Sequence, residues 1–399
     1  MGKLVQFGAG NIGRSFIGQL FAQAGYQVVF VEVNPVLVAA LNQRRRYRVE
    51  IHDDPPGEIL VQNVRAVDGR QVAAVAAEVA SADIAATAVG PGALPQILPG
   101  LAAGLAARQG KPLDLIIAEN LRGAPQLIRE GMRRLLPADF PLEQRLGLVE
   151  TSIGKMVPLI PEEVRQRDPL LVYAEAYNTL IVDAKGFLNP IPAVPGLEAQ
   201  DNIAAYVDRK AFIHNLGHAA VAYAGWTLNP GLTYIWQAMK QGPVVALARR
   251  AMEASAEALM ARYPGEFTWT MQQRHIADLL RRFANRALGD TVHRVGRDLP
   301  RKLGPQDRLV GALRLQQGHG ADWRATCTVI ALALRFCAPD EHGHVFPADG
   351  AFAAWLAEVG ARQVLVETCG LAAADPALTV ILAEYRRGRA VLAAQSEKP

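Results

Sequence analysis

Three side chains that could act together on an alcohol lie close together in the second half of the 399-residue chain: Lys210, Asn215 and His218. The residues around them favour a helix, which we predict over 201–224. At about 100° per residue, Asn215 then lies about 140° and His218 about 80° from Lys210, so the three share one broad face. An amine can take the hydroxyl proton, while its neighbours hold the oxygen as negative charge builds. The competing interpretation is a surface lysine beside an asparagine and a histidine that pack in a core.

The start of the chain predicts a loop that binds a dinucleotide. A short apolar strand over 3–7 runs directly into a glycine-rich loop, which consists of Gly8, Ala9, Gly10, Asn11, Ile12 and Gly13. A helical pattern follows, and then a second apolar strand over 27–31. Gly8 permits the tight turn, Gly10 lets the backbone approach a pyrophosphate, and Gly13 allows the helix to pack closely on the strand. The competing interpretation is a glycine-rich turn without a ligand.

Glu32 closes the second strand about twenty positions after Gly13, where dinucleotide-binding domains carry an acidic residue. Its carboxylate can accept hydrogen bonds from the ribose hydroxyls of the adenosine, and it repels a 2′-phosphate. The sequence therefore predicts that the cofactor is NAD rather than NADP.

Two further strands, predicted over 83–88 and 113–118, end in residues that suit a binding site. Ligands of a parallel doubly wound sheet lie beyond the carboxyl ends of its strands. We therefore expect Thr87 and Val89 to border the cofactor and Asn120 to bind it and reach the reacting centre. Asn120 could instead cap the helix that follows.

The remaining pattern predicts two domains. Strand-like runs over 146–157 and 171–182 are assigned to the same sheet, and the proline-rich segment 189–196 is the predicted boundary. Everything beyond it has helical spacing, with helices predicted over 241–262, 270–287, 307–317, 321–337, 350–360 and 375–393. We thus predict an α/β protein in which a doubly wound dinucleotide-binding domain, 1–195, precedes a mostly helical substrate domain, 196–399.

One loop-like stretch of the second domain concentrates positive charge. Its basic residues are Arg294, Arg297, Arg301 and Lys302, interrupted by a glycine and a proline. Guanidinium and ammonium groups on irregular backbone suit a phosphate or a polyhydroxylated anion. An ordinary exposed basic loop is the equal alternative.

Composition argues against several other classes of protein. Half of the residues are hydrophobic, a fifth are charged, and the net charge is only +4. The one tight basic run is Arg44–Arg46, without interleaved aromatic residues, so we expect no nucleic-acid partner.

The cysteines and apolar segments indicate where the protein works. Cys327, Cys337 and Cys369 form no Cys-x-x-Cys pair, which argues against a disulfide framework and a cysteine-rich metal site. The apolar stretch 329–334 is far shorter than a membrane span, and no signal peptide is recognisable before the first strand. We therefore expect a cytoplasmic protein without a membrane partner and without a bound metal.

Taken together, the motifs resemble those of the long-chain polyol dehydrogenases, the mannitol dehydrogenase family. They are Phe-Gly-Ala-Gly-Asn-Ile-Gly-Arg at 7–14, Thr-Ala-Val-Gly-Pro at 87–91, Glu-Asn at 119–120, Lys-x₄-Asn-x₂-His at 210–218 and Arg-Val-Gly-Arg with Arg-Lys-Leu at 294–303. The resemblance covers nearly the whole chain. It implies a zinc-independent oxidoreductase that uses NAD.

The resemblance also assigns roles to individual residues. It implies that Lys210 is the general base and that Asn120 and Asn215 hold the alcohol oxygen. The residues that it assigns to positioning the substrate are His218, Arg294 and Lys302. The expected reaction interconverts a sugar-alcohol phosphate and a keto-sugar phosphate, of the mannitol 1-phosphate and fructose 6-phosphate type, in a monomer or a small homo-oligomer.

One departure from the family leaves the substrate open. The family has Asp-Arg where this chain has Gly154-Lys155. The missing aspartate leaves room for a free polyol or a hexuronate, with Lys155 in place of the arginine. An alternative from another class is an NAD-binding sensor without turnover, against which the intact lysine, asparagine and histidine argue.

Overall fold

A computed structural model of the chain describes residues 2–393, and the chain divides into two compact units between Tyr206 and Val207. The division falls within the helix Ile203–Arg209. The first unit is built on a parallel sheet, and the second is helical apart from one isolated bridge, Tyr234 to Thr291. The predicted fold class is confirmed.

The first unit contains eleven strands. In chain order they are β1 (Lys3–Phe7), β2 (Gln27–Glu32), β3 (Arg46–Ile51), β4 (Gly57–Gln62), β5 (Val64–Asp68), β6 (Ile84–Thr87), β7 (Leu113–Ile117), β8 (Leu146–Ile153), β9 (Val172–Ala174), β10 (Leu180–Asp183) and β11 (Leu197–Gln200). The main sheet has the order β11-β10-β8-β7-β6-β1-β2-β5. Its strands are parallel except for β10 and β11, which run parallel to each other and antiparallel to β8 and the other strands.

The order of the main sheet places a topological switch between β1 and β6, since the chain adds strands to one side of β1 and then to the other. In sheets of this type, ligands bind in the crevice outside the carboxyl ends of the strands at the switch. The central strands are buried, as their continuous apolar sequences require. The glycine loop after β1 therefore lies where a dinucleotide site is expected.

Two details of the predicted sheet were wrong. The run 171–182 is not one strand of the main sheet, because only β10 joins that sheet while β9 pairs with β3 in a separate three-stranded sheet, β4-β3-β9. The chain breaks between them at Glu175, whose buried carboxylate accepts a hydrogen bond from the backbone N–H of Met156. Strand β8 also ends at Ile153, earlier than predicted.

Helices cover the sheet of the first unit. They are the π-helix Gly13–Gly18 and the α-helices Gln19–Gln23, Pro35–Arg44, Val72–Ala80, Leu94–Ala107, Ala124–Leu135, Leu142–Arg145 and Glu162–Arg167, with a 3₁₀ turn at Ala184–Gly186. Two apolar clusters, one built around Phe16 and Phe30 and the other around Val5 and Phe7, form the core.

The second unit consists of helices of very different lengths. Beyond the π-helix Lys210–Asn215 they are Leu216–Leu228, Ile235–Ala238, Gly242–Arg262, Trp269–Phe283, the 3₁₀ turn Arg286–Leu288, Val292–Gly296, Leu299–Lys302, Val310–Gly318, Arg324–Ala333, Pro347–Val359, Ala361–Glu367, Pro376–Arg387 and Ala390–Ala393. Leu216–Leu228 is buried on nearly all sides. Gly217 makes this packing possible, because an added Cβ there would lie 2.3 Å from the sulfur of Met252.

The helix predicted over 201–224 is interrupted, which corrects the angles derived above. Residues Lys210–Asn215 form a π-helix instead of an α-helix. A π turn closes its hydrogen bonds five residues apart, so it is wider than an α turn. Asn215, five residues after Lys210, is therefore closer to the same face as Lys210 than an ideal α-helix allows.

Candidate active site

The glycines of the first loop have distinct physical roles. Gly8 has φ +90°, and an added Cβ would lie 2.5 Å from the carbonyl oxygen of Ala88. At Gly13 a Cβ would lie 2.1 Å from the carbonyl oxygen of Gly8. At Gly10 a Cβ would meet no atom within 4 Å. Gly8 and Gly13 are thus required by the fold, whereas the space beside Gly10 is open.

The carboxylate of Glu32 ties the end of β2 to this loop. Its Oε2 accepts a hydrogen bond from Ala9 N at 2.8 Å, and its Oε1 accepts from Val33 N at 2.8 Å and from Asn34 N at 2.9 Å. A carboxylate can accept about four hydrogen bonds, so Glu32 keeps capacity for a hydroxyl donor. Its position at the loop fits the ribose-binding role predicted from the sequence.

Arg14 stabilises the same loop through hydrogen bonds of its side chain, and the sequence analysis assigned it no role. The side chain is buried, and Nε donates to the carbonyl of Ala9 at 2.7 Å while Nη1 donates to that of Pro169 at 3.0 Å. Burial lowers the pKa of Arg14, and the phenol of Tyr47 and the carboxylate of Glu32 act in the opposite direction. The loop is therefore held by the side chains of two residues, Glu32 and Arg14, which both bond to the backbone of Ala9.

Glu119 positions the second loop of the sheet edge. Its two carboxylate oxygens accept hydrogen bonds from Val89 N and Gly90 N, each at 2.9 Å. The residue follows β7, whereas the turn that it holds follows β6. The sequence alone assigns no such role to Glu119, because its bonding partners follow a different strand.

The other predicted cofactor residues of the first unit differ in accessibility. Asn11 and Asn120 are exposed, Ile12 and Val89 are half-buried, and Thr87 is fully buried at the end of β6. In the described part of the chain Thr87 Oγ1 has no hydrogen-bond partner. The accessible members of this group suit direct contact with a ligand, whereas Thr87 lies in the layer beneath.

Lys155, which replaces the family's arginine, lies in the first unit and is buried. Its Nζ donates to Asn178 Oδ1 at 2.9 Å and lies 5.1 Å from the ring centre of Phe16. At Gly154 an added Cβ would make only ordinary contacts, at 3.4 Å from the ring of Tyr177. Steric constraints alone therefore do not explain why residue 154 is a glycine.

Lys210 opens the π-helix of the second unit and is half-buried. Loss of hydration disfavours its ammonium form, and the nearby positive charge of Arg308 adds to the effect. Together they lower the pKa of Lys210 to about 8. At pH 7 about a tenth of Lys210 is then the neutral amine, far more than for an ordinary lysine with its pKa near 10.4.

His218 belongs to a polar cluster with Asp290 and Arg294. His218 Nε2 lies 3.2 Å from Asp290 Oδ2, and Arg294 Nε donates to Asp290 Oδ1 at 2.7 Å. Burial alone raises the pKa of Asp290, but the hydrogen bond and charge of His218 and the charge of Arg294 outweigh it and lower the pKa to about 2. Asp290, which sequence reasoning missed, is therefore a carboxylate at any physiological pH.

His214, one turn before His218, is buried. Burial lowers its pKa far below the usual range, and the charges of Arg282 and His218 act in the same direction. The ring centre of His214 lies 5.7 Å from that of Phe283 and 6.3 Å from that of His218. His214 is thus a neutral imidazole that lies next to the cluster, near His218 and Phe283.

The structure does not gather the predicted basic stretch into one open anion site. Lys302 is buried, and its Nζ donates to the carbonyls of Val295 and Arg297. Burial, with a contribution from Arg308, lowers the pKa of Lys302 to about 7. Arg301 pairs with acidic neighbours, and Arg297 lies over an aromatic ring. Arg294 is the member of the stretch that joins the cluster around His218.

Within residues 2–393, no three His, Cys, Asp or Glu side chains lie close enough together to hold a metal ion. No helix in this range is long and apolar enough to cross a membrane.

A doubly wound sheet with a glycine loop, followed by a helical unit carrying lysine, asparagine and histidine, defines a class of nucleotide-dependent dehydrogenase. The chain belongs to the mannitol dehydrogenase family: the Rossmann domain of that family matches residues 2–196, and its C-terminal domain matches residues 202–368. The protein is thus an oxidoreductase of this family, and its cofactor is NAD.

Among individual proteins, the mannitol-1-phosphate 5-dehydrogenase of Brevibacillus brevis is 36% identical over 390 residues, which cover 96% of this chain and 97% of the relative. Two solved structures share the fold. Mannitol 2-dehydrogenase of Pseudomonas fluorescens, in a ternary complex with NAD and D-mannitol, has a TM-score of 0.78 at 17% identity and covers 100% of this chain and 95% of its own. A substrate-free D-sorbitol dehydrogenase has a TM-score of 0.79 at 14% identity and covers 99% and 94%.

Proposed function

We propose that the protein interconverts a sugar-alcohol phosphate and a keto-sugar phosphate, of the mannitol 1-phosphate and fructose 6-phosphate type, with Lys210 as the general base. The substrate class is supported by the relative from Brevibacillus brevis, which matches nearly the full length of both chains. The observation that carries the mechanism is the pKa of Lys210, lowered to about 8 by burial and by Arg308.

The pKa of Lys210 suits the proton transfer. A free lysine titrates near 10.4, so it would hold its proton at neutral pH. A base works best when its pKa lies near the operating pH. In the oxidising direction the neutral amine of Lys210 takes the hydroxyl proton of the substrate. In the reducing direction its ammonium returns a proton to the carbonyl oxygen.

Amide and cationic side chains supply the rest of the proposed site. Asn120 and Asn215 donate hydrogen bonds to the substrate oxygen as it gains negative charge. His218 and Arg294 position the substrate, and the guanidinium of Arg294 suits a phosphate. Lys302 was expected to do the same, but its bonds to two carbonyls favour a role in shaping the loop around Arg294.

The first unit would hold the cofactor through its backbone loop and one carboxylate. The space over Gly10 admits the pyrophosphate, and Glu32 accepts hydrogen bonds from the ribose. When bound, NAD supplies the acceptor for the hydride that leaves the alcohol carbon. The negative charge of Glu32 disfavours the 2′-phosphate of NADP.

The substrate assignment is tested by initial rates of NADH oxidation with three carbonyl compounds: fructose 6-phosphate, free fructose and a hexuronate. We expect kcat/KM to be highest for fructose 6-phosphate, by about 100-fold over fructose, because the charge-assisted contact of Arg294 to the phosphate is lost with the free sugar. NADPH in place of NADH should lower the rate. Added chelator should leave it unchanged, since no proposed step uses zinc.

Other outcomes of the same panel identify the alternatives. A preference for free fructose or for the hexuronate would move the assignment to a dehydrogenase of free polyols or of hexuronates. Binding of NADH without turnover of any compound would favour an NAD-binding sensor.

A further inference from the structure

Asp290 is a buried carboxylate that none of the roles above uses. We propose that Asp290 is a positioning residue, which holds His218 in the tautomer with Nε2 protonated, so that Nδ1 accepts a hydrogen bond from a hydroxyl of the substrate. This inference rests on the proposed function, because it names a polyhydroxylated substrate as the ligand of His218.

Asp290 is itself held at its backbone and at its side chain. The backbone carbonyl of Asp290 accepts a hydrogen bond from Ile235 N at 2.9 Å, and the carboxylate oxygen Oδ1 accepts from Arg294 Nε at 2.7 Å. The other oxygen, Oδ2, is buried, makes no hydrogen bond of regular geometry to residues 2–393, and lies 3.2 Å from His218 Nε2. Because an ionised carboxylate only accepts hydrogen bonds, the nitrogen facing Oδ2 must carry the hydrogen.

A second contact fixes the ring of His218. The imidazole stacks on the ring of Phe283, with centres 4.5 Å apart and planes only 5° from parallel. The stack sets the plane of the ring, but a half-turn of the imidazole would preserve it and exchange the two edges. Asp290 therefore decides which edge faces inward, since the flipped ring would leave a buried carboxylate oxygen without a donor.

The consequence for recognition concerns the direction of one hydrogen bond. In the neutral form of His218, with Nε2–H directed at Asp290, Nδ1 is bare, so it accepts from a substrate hydroxyl but cannot donate to a carbonyl or a phosphate. Arg294, tethered to the other oxygen of the same carboxylate, presents only donors. Asp290 thus positions two groups: His218, which accepts hydrogen bonds from hydroxyl groups, and Arg294, which donates hydrogen bonds to anions.

The tautomer can be measured without turnover, by ¹⁵N NMR of protein labelled at its eight histidines. Spectra are recorded at rising pH until the signal of His218 no longer moves, so that the tautomer is read in the neutral form. The signal of His218 is identified by its loss in His218→Gln. We expect the Nε2–H tautomer in the unaltered protein and a mixture in Asp290→Asn. The Nδ1–H tautomer in the unaltered protein, or no change in the variant, overturns the proposal.

Kinetics test whether the tautomer matters to the reaction. Asp290→Asn should lower kcat/KM for the keto-sugar phosphate by about 10- to 100-fold, mostly through KM, as expected when a buried hydrogen-bond partner is lost. The KM for NADH should not change. In a His218→Ala background the same substitution should cost at least threefold less, because the group that Asp290 orients is gone. If the effects of the two substitutions on kcat/KM multiply independently, Asp290 has only a structural role.

Asp114 provides a matched control. It is a buried aspartate of the first unit whose oxygens accept hydrogen bonds from Leu188 N and from the backbone and side-chain nitrogens of Asn189. Asp114→Asn should lower the thermal midpoint while leaving the His218 tautomer and the KM for the sugar phosphate unaltered. A normal His218 tautomer in a protein that turns over none of the substrates would instead refute the proposed function and leave the positioning role standing.

Discussion

A lysine can act as a base near neutral pH only where its surroundings disfavour the ammonium. At Lys210, loss of hydration does most of this, and the guanidinium of Arg308 adds repulsion between like charges. Arg308 is itself held by Asp307, through a hydrogen bond from Nε to Oδ1 of 2.8 Å. The cation that tunes the base therefore has a fixed position.

This account predicts the pH dependence of oxidation. The kcat/KM for the sugar-alcohol phosphate should rise with pH and level off above about 8, as Lys210 loses its proton. Arg308→Gln removes a charge that lowers the pKa of Lys210, so the apparent pKa should rise by about half a unit to one unit. The measurement is a pH profile of initial rates for both proteins.

Arg324→Gln is the control for that profile, since Arg324 is an exposed arginine in an ion pair with Asp322. It should leave the profile unchanged. An apparent pKa that stays constant or falls in Arg308→Gln would contradict the assignment of Lys210 as the titrating base.

At the residue scale, the sequence predicts a role only where residue type and spacing indicate one. Lys210, Asn215 and His218 were predicted as site residues from their spacing on one helix. Asp290 and Glu119 were not, because each acts on groups that are distant in the sequence: Asp290 on His218, and Glu119 on the turn after β6. A carboxylate gives no sign in the sequence of which N–H groups will surround it.

At the scale of elements, both functional segments contain π-helix. One follows the glycine loop at Gly13–Gly18, and the other carries the lysine at Lys210–Asn215. π turns inside helices are frequent at functional sites, since they change which side chains share a face. The sequence could not predict them, because a shift of hydrogen bonds from four to five residues requires no particular residue type.

The glycine loop allows a sharp comparison between two substitutions. Gly10→Ala fills open space, so it should weaken NADH binding at least tenfold and leave the thermal midpoint nearly unchanged. Gly13→Ala places a Cβ 2.1 Å from a backbone oxygen, so it should destabilise the protein by about 1–3 kcal/mol. Fluorescence titration with NADH and thermal unfolding of both variants provide the measurements. Equal losses of stability would show that the space over Gly10 is not free.

The wrong assignment of β9 is also understandable at this scale. The residues on either side of Glu175 are apolar and suit a strand, so 171–182 reads as one element. The break comes from a tertiary contact, the hydrogen bond from Met156 N to the buried carboxylate of Glu175. Local pattern carries no information about such a partner.

At the scale of the whole molecule, the order of the elements was readable because each half of the chain keeps one pattern. Apolar strands alternate with helices up to the proline-rich segment 189–196. After it comes one short strand that the sequence analysis missed, β11, and then helices from Ile203 onward. This alternation specifies a parallel sheet with crossover helices. Strands β3 and β4 of the small sheet and the edge strand β5 of the main sheet escaped prediction, because they are partly exposed and lack the apolar runs of the central strands.

Cofactor preference should be visible as stability of the whole protein. At 100 times its dissociation constant, NADH should stabilise the folded protein by about 2.7 kcal/mol and raise the thermal midpoint by about 3 °C. The same concentration of NADPH should raise it far less, because of Glu32. In Glu32→Ala the difference between the thermal midpoints with NADH and with NADPH should shrink. If a thermal scan shows the same difference, residues other than Glu32 determine the cofactor preference.

The measurement that tests the central claim most directly is turnover and NADH binding in Lys210→Met, which removes the amine and keeps the length of the side chain. Lys240→Met, at an exposed lysine of the same unit, is the control and should retain normal rates. We predict that Lys210→Met lowers kcat for reduction of fructose 6-phosphate by at least about 1,000-fold, since general-base catalysis contributes about 10²- to 10⁴-fold. The dissociation constant for NADH should change by less than about threefold, because the amine has no assigned role in cofactor binding. A Lys210→Met variant that reduces fructose 6-phosphate within tenfold of the normal rate would contradict the account.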